Sequence, residues 1–220
     1  MLRVENIAVK ISTYTILRGL TLEVPTSSIV ALVGRNGAGK TTTMKSIMGL
    51  VPITSGKITL DNHDLGHLRP HHRAMLGIGY LPEDRRLINS LTVQENLQIP
   101  AEAVDLTAGK ARLETIYALL PDIKPLATRK VVQLSGGQQK IVALARSFVN
   151  GKKVLLLDEP FEGISSALSR NLTNAIHKFQ ETEEGLSVLV AESDVKRAAM
   201  LTDRFYVIER GEVIEETPAC

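Results

Sequence analysis

Gly34-Arg35-Asn36-Gly37-Ala38-Gly39-Lys40-Thr41 satisfies G-x-x-x-x-G-K-[ST] and constrains this chain more than any other stretch. It follows the dense apolar run Ile29-Val30-Ala31-Leu32-Val33 and precedes Lys40 to Met48, which reads as a helix closed by Gly49. Strand, glycine-rich turn and helix in that order are the context in which the motif becomes a phosphate cradle, and a chance turn would not bring all three. The glycines let backbone N–H groups point at a β-phosphate, and the helix offers its positive end. Lys40 places a cation between the β- and γ-phosphates. These eight residues, with Thr42 beside them, are the predicted nucleotide contacts, and the Thr41 hydroxyl is a predicted Mg²⁺ ligand.

Such a loop leaves kinases, GTPases and many ATPases open, and Val154-Leu155-Leu156-Leu157-Asp158-Glu159 narrows the field. It is an apolar strand ending in two carboxylates, an arrangement in which the first acid serves the metal and the second lies near the attacking water. Asp158 is therefore assigned to Mg²⁺ and Glu159 to the catalytic base, with Lys40 as its catalytic companion. No N-K-x-D guanine motif occurs in the chain, which speaks against a GTPase.

Around these motifs the pattern is mixed. Leu2, Val4, Ile7, Val9 and Ile11, then Leu20 to Val24, alternate as half-buried strands of an antiparallel sheet. Apolar runs at Val154–Leu157, Leu186–Ala191 and Phe205–Ile208 flank a helix striped with Leu168, Leu172, Ile176 and Phe179, as in a parallel α/β core. From Thr92 to about Val131 the period is helical. Thr92-Val93-Gln94-Glu95 fits a capping box, and a helix from about Ala108 to Leu120 stops at Pro121.

Composition bounds the partners. Lys plus Arg number 26 and Asp plus Glu 24, a net charge of +2 that names neither nucleic acid nor an acidic membrane as a target. No run approaches the roughly 20 apolar residues of a membrane span. The one cysteine, Cys220, gives no internal disulfide and fits a reducing compartment. The start has no apolar stretch of the secretory kind, so the expected location is cytosolic.

Leu134-Ser135-Gly136-Gly137-Gln138-Gln139 lies between the phosphate loop and Asp158. Ser135 can cap the helix that follows and Gln138 can answer it, leaving the N–H groups of Gly136 and Gly137 for a phosphate. With the two motifs above, in this order, the sequence resembles the nucleotide-binding subunit of ATP-binding cassette (ABC) transporters over essentially its whole length. The resemblance implies residues 1–220 as one α/β domain. It would have a parallel core sheet, an N-terminal antiparallel β subdomain and a helical subdomain inserted over about 92–150. It implies ATP with Mg²⁺, and a head-to-tail dimer of cassettes, homo- or heteromeric, in which Ser135 and Gly137 complete the other subunit's site. It also implies two membrane-spanning permease subunits, an extracytoplasmic solute-binding protein reached through them, and a peripheral place on the cytoplasmic face of the inner membrane. Leu81-Pro82-Glu83 stands where the family has its glutamine loop, which makes Glu83 a Mg²⁺ candidate and the segment to about Leu97 the receiver of a permease helix. Gly79 to Glu83, Arg85-Arg86 and Leu91 to Leu97 look like the second ATPase subunit (LivF-type) of branched-chain amino acid importers.

Three positions depart from the family's pattern. Ser193, in Ala191-Glu192-Ser193-Asp194, stands where a histidine usually meets the γ-phosphate, so an own site that is slow and a subunit that mainly clamps is the second reading. The adenine-stacking aromatic falls at Ile11 by direct counting, with Tyr14 three residues on; both stay open. Phe161-Glu162-Gly163-Ile164 only partly matches the turn after the acid pair. Soluble cassette ATPases of repair or translation need a long coiled coil or a second cassette, and 220 residues hold neither. His63, His67, His71 and His72 sit in turn-like sequence and read as a solvated connection.

Overall fold

The computed structural model describes residues 1–104 and 106–217, so Cys220 lies outside the described residues. The chain opens with β1 (Leu2–Ile11), β2 (Tyr14–Val24), β3 (Ile29–Val33), α1 (Lys40–Ile47), β4 (Ser55–Leu60), β5 (His63–Asp64), α2 (Pro70–Met75) and β6 (Ile78–Leu81). Three longer helices follow, α3 (Val93–Val104), α4 (Leu106–Leu119) and α5 (Gly136–Asn150). The rest comprises β7 (Val154–Asp158), α6 (Ser166–Thr182), β8 (Ser187–Glu192), α7 (Val195–Ala198), β9 (Phe205–Glu209) and β10 (Glu212–Glu216).

Two sheets result. One is antiparallel, in the order β2-β1-β4-β5; the other runs β10-β9-β3-β8-β7-β6, parallel except for the β9–β10 hairpin. The expected alternation of β1 and the dense apolar runs of β3 and β7 follow from this arrangement. Along β3, Val30 and Leu32 face the layer shared with α1 and the antiparallel sheet, while Ala31 and Val33 face the helices. In β7 the split repeats, Val154 and Leu156 against Leu155 and Leu157. A strand with a core on each side has no polar face to offer.

Three readings need amendment. β2 begins at Tyr14 rather than near Leu20, and β5, β6 and β10 are strands where none was expected. Pro121 does end the helical run, but by opening a 3-10 turn over Pro121–Leu126.

The helices are tied by specific contacts. Thr92 and Glu95 make the reciprocal box at the start of α3: the Thr92 N–H donates to Glu95 Oε2 at 2.7 Å, and the Glu95 N–H to Thr92 Oγ1 at 3.2 Å. Phe148 on α5 stacks on Phe179 of α6 at 4.0 Å between centroids. Arg112 of α4 lies 4.8 Å over the Phe179 ring, donates to the Phe148 and Gly151 carbonyls at the end of α5, and pairs with Glu183. Among the described residues no helix is long and apolar enough to cross a membrane.

Candidate functional site

The loop between β3 and α1 takes its shape from two glycines. A side chain on Gly34 would meet the Ile208 carbonyl of β9 at 2.3 Å, so only glycine lets the loop pass that strand. Gly39 has φ +118 and stands at the N-cap of α1, where no side chain caps the first turn. The unpaired N–H groups of that turn therefore face an open cleft of about 400 Å³, lined by Asn36, Gly37, Gly39, Lys40, Thr41, Thr42, Glu83, Glu159 and Glu162 with Ile16. Ala38 is buried beneath the loop, and its N–H closes the turn on the Arg35 carbonyl at 3.0 Å. Lys40 is 5% exposed. Its ammonium donates to the Gly34 carbonyl at 2.6 Å and the Arg35 carbonyl at 3.3 Å, and pairs with Glu159 Oε1 at 3.2 Å.

Strand order sets the distance between loop and acids, because β8 lies between β3 and β7 and pairs with both. Its registers put Glu192 beside Val33 and Ala191 beside Asp158. Thr41 Oγ1 donates to Asp158 Oδ1 at 3.1 Å, bringing the first turn of α1 to the end of β7. Burial pushes the Asp158 carboxyl up to about 6; the Thr41 hydroxyl opposes the rise, and the charges of Glu83 and Glu159 add to it. Asp158 Oδ2 is buried without a partner among the described residues, a costly condition for a carboxylate. A hydroxyl, that oxygen and the nearby Glu83 form an oxygen-only donor set, and such a set suits Mg²⁺.

Glu159 adopts φ +50, which L residues rarely do. Its N–H donates to the Ala191 carbonyl at 2.9 Å. Its Oε2 accepts from the Ser193 N–H and hydroxyl, each at 3.2 Å. The hydroxyl of Ser193 is thus engaged with the predicted base.

Two residues of this site were not foreseen. Glu192 is fully buried; its Oε1 accepts the Phe161 N–H at 3.1 Å, and burial, reinforced by Glu159 beside it, pushes its carboxyl up to about 8. Lys140 of α5 is 1% exposed and donates to the Glu159 carbonyl at 2.6 Å. A carboxylate closing an apolar strand, and a lysine on an apolar helix stripe, were the available signals.

Other predicted residues lie apart from the cleft. Ser135 caps α5, with its Oγ accepting the Gln138 N–H at 3.3 Å and its N–H reaching Gln138 Oε1 at 3.0 Å; neither it nor Gly137 lines the cleft of its own chain. Tyr14 is 74% exposed at the hairpin end of β2, paired with Ile11, and neither reaches the cleft. The residue of β2 that does is Ile16, one two-residue repeat further along the strand, some 7 Å from Tyr14. His63, His67, His71 and His72 are all exposed and do not gather with other ligands into a metal cluster among the described residues.

A family model described as ABC transporter matches residues 17–162, a span running from β2 through the loop, the α5 cap and the acids. The chain belongs to the ABC transporter family. It is the ATP-binding cassette of that family, an ATPase, with the cassette fold. It is similar to the dimeric structure of the bacterial ABC transporter cassette MJ0796 at a TM-score of 0.88 and 25% identity, covering 99% of this chain and 98% of that one. The ADP conformation of the cassette MJ1267 matches at 0.84, with 25% identity over 100% and 91% of the two chains. Among curated relatives, the "Probable branched-chain amino acid transport ATP-binding protein LivF" of Archaeoglobus fulgidus is 36% identical over 90% of this chain and 84% of its own. The "Lipopolysaccharide export system ATP-binding protein LptB" of Haemophilus influenzae is 33% identical over 97% and 89%. Relatives named for branched-chain amino acid transport and for lipopolysaccharide export thus stand at similar distance, and the LivF-type resemblance is one of several.

Proposed function

We propose that this cassette hydrolyses ATP to drive import through separate permease subunits, with branched-chain amino acids or related small polar solutes as cargo. The observation that carries the ATPase chemistry is the convergence on one cleft of Lys40, the Thr41–Asp158 contact and the Glu159 carboxylate held by Lys40 and Ser193. The N–H groups of the loop and of the first turn of α1 that are not spent on the Glu192 and Arg35 carbonyls, with the Lys40 ammonium, bind the phosphates. Thr41, Asp158 and Glu83 would hold Mg²⁺, which when bound offsets charge on the β- and γ-phosphates. Glu159 orients the attacking water and accepts its proton. Ile16 offers the base an apolar contact in place of Tyr14. Ser135 and Gly137, away from their own cleft, act on the nucleotide of a second cassette in a head-to-tail dimer. The segment from Glu83 to about Leu97 meets the permease, which puts the subunit at the cytoplasmic face of the membrane. Residues 92–150 form the helical subdomain.

Import rather than export is supported by the stretch from Gly79 to Leu97, which resembles the importer subunit, and the cargo by the relative named for branched-chain amino acid transport. The test is reconstitution of the chain with its permease and binding protein in vesicles. ATP hydrolysis and uptake stimulated by leucine-loaded binding protein support the reading, and hydrolysis indifferent to every loaded binding protein sinks it. A second reading, a clamp with a weak site of its own, is favoured by Ser193, whose hydroxyl is turned to Glu159. In a heteromeric pair, Glu159→Gln would then cost less hydrolysis than the matching change in the partner; equal losses would dismiss it.

A further inference from the structure

Lys140 is among the largest fully buried side chains of the protein, yet the chemistry above makes no use of it. A lysine is rarely buried without a partner that repays its desolvation. Burial does hold its pKa below the usual lysine range, with Arg85 acting the same way and Glu192, Glu162 and Glu159 opposing. Among the described residues its ammonium donates to one atom, the carbonyl oxygen of Glu159, at 2.6 Å.

That carbonyl belongs to the residue with the left-handed backbone at the end of β7. Sheet pairing stops at Asp158, so the next peptide has no strand to hold its oxygen. Among the described residues two donors reach it: the N–H of Glu162 at 3.2 Å, from the turn that follows, and the shorter contact from Lys140. On the other side the Glu159 N–H is held by the Ala191 carbonyl of β8. Turning the Glu159 peptide back to an ordinary strand conformation would break the Lys140 contact and swing the carboxylate away from Lys40 and Ser193.

We propose that Lys140 is a positioning residue for Glu159, holding its carbonyl so that the strained backbone aims the carboxylate at the phosphate cleft. The inference rests on Glu159 as the catalytic base. Because Lys140 belongs to α5, whose N-terminus carries Ser135 and Gly137, one side chain ties the helix that serves the second cassette to the base of its own chain.

The test compares Lys140→Met, Glu159→Gln and the double variant, in the full chain with its cassette partner, by steady-state ATPase, fluorescent-ATP binding and urea unfolding. Lys140→Met is expected to lower kcat at least tenfold while KM and the nucleotide Kd stay within twofold. The double variant should be no slower than Glu159→Gln, because two changes acting through one group do not multiply. Lys140→Met at the wild-type kcat, or losses that multiply in the double variant, would overturn the inference. Lys140→Gln, uncharged and too short to keep the contact, is read by the same criteria and decides the matter if the methionine variant does not fold. If Glu159→Gln itself hydrolyses ATP at the wild-type rate, the assignment of the base has failed, which is a separate result.

Discussion

Replacing Arg112 by methionine tests what joins α4, α5 and α6. The change keeps most of the side chain's length and removes the donors. Two carbonyls at the end of α5, those of Phe148 and Gly151, lose contacts at 2.9 and 2.7 Å. A stranded buried acceptor costs about 1–3 kcal/mol, and the cation over the Phe179 ring adds roughly 0.5–2 kcal/mol. Against this stands relief from desolvating the guanidinium, whose pKa burial already holds below the ordinary arginine value. The Glu183 side chain is 21% exposed and can rehydrate once its partner is gone. The net loss should therefore fall at about 3 kcal/mol, the lower end of what breaking a buried pair costs. With a urea m-value of roughly 3 kcal/mol/M, the midpoint drops by about 1 M at constant m. Glu183→Gln should cost only about 1 kcal/mol, and the double variant less than the sum. A midpoint shift for Arg112→Met below about 0.3 M would refute the reasoning.

Two further outcomes follow from the acids and Ser193. The folded Glu192 carboxyl sits near 8 against an ordinary 4.5, so the native state holds a proton that the unfolded chain releases between those values. Stability from this group is complete below the lower value and is lost as pH rises through the upper one. Glu192→Gln should then gain in Tm relative to the parent between pH 5 and pH 8.5, and a difference that does not change with pH refutes the buried-proton account. Ser193→Ala removes one hydrogen bond to Glu159 Oε2 and leaves the backbone N–H. At about 1.5 kcal/mol for a long bond to a charged acceptor, kcat should fall roughly tenfold with KM for ATP unchanged; a wild-type kcat would show that the hydroxyl does not hold the base.

The parts of this protein that could be read in the sequence are those whose folding is local. The phosphate loop, the acid pair and the Ser135–Gln138 cap each need only their own neighbours to be recognised, and all three fold as their spacing implies. β6 escaped because Gly79 interrupts a four-residue run; a side chain there would strike the Ser147 carbonyl at 2.2 Å, a constraint set by α5 and invisible locally. β10 is a charged edge strand with three glutamates in five residues, the pattern by which edges avoid further pairing. Tyr14 was an attractive partner for adenine by residue type, but the two-residue repeat of β2 carries Ile16 to the cleft instead. Glu192 and Lys140 acquire their roles from strand order and helix packing, which no short window of sequence contains.

The place of β3 in its sheet bears on when the phosphate loop becomes usable during synthesis. Both neighbours of β3, β8 and β9, come from residues 187–209, far later in the sequence than β3 itself. α1 packs between that sheet and the antiparallel one, with Met44 and Ile47 fully buried in the shared layer. Contacts so distant in sequence form late, and the N-terminal part of a chain leaves the ribosome first. The loop, though encoded early, follows a strand that has neither of its sheet neighbours until residues 187–209 have been made. Nucleotide binding by a nascent chain is therefore expected only after residues 187–209 have left the ribosome.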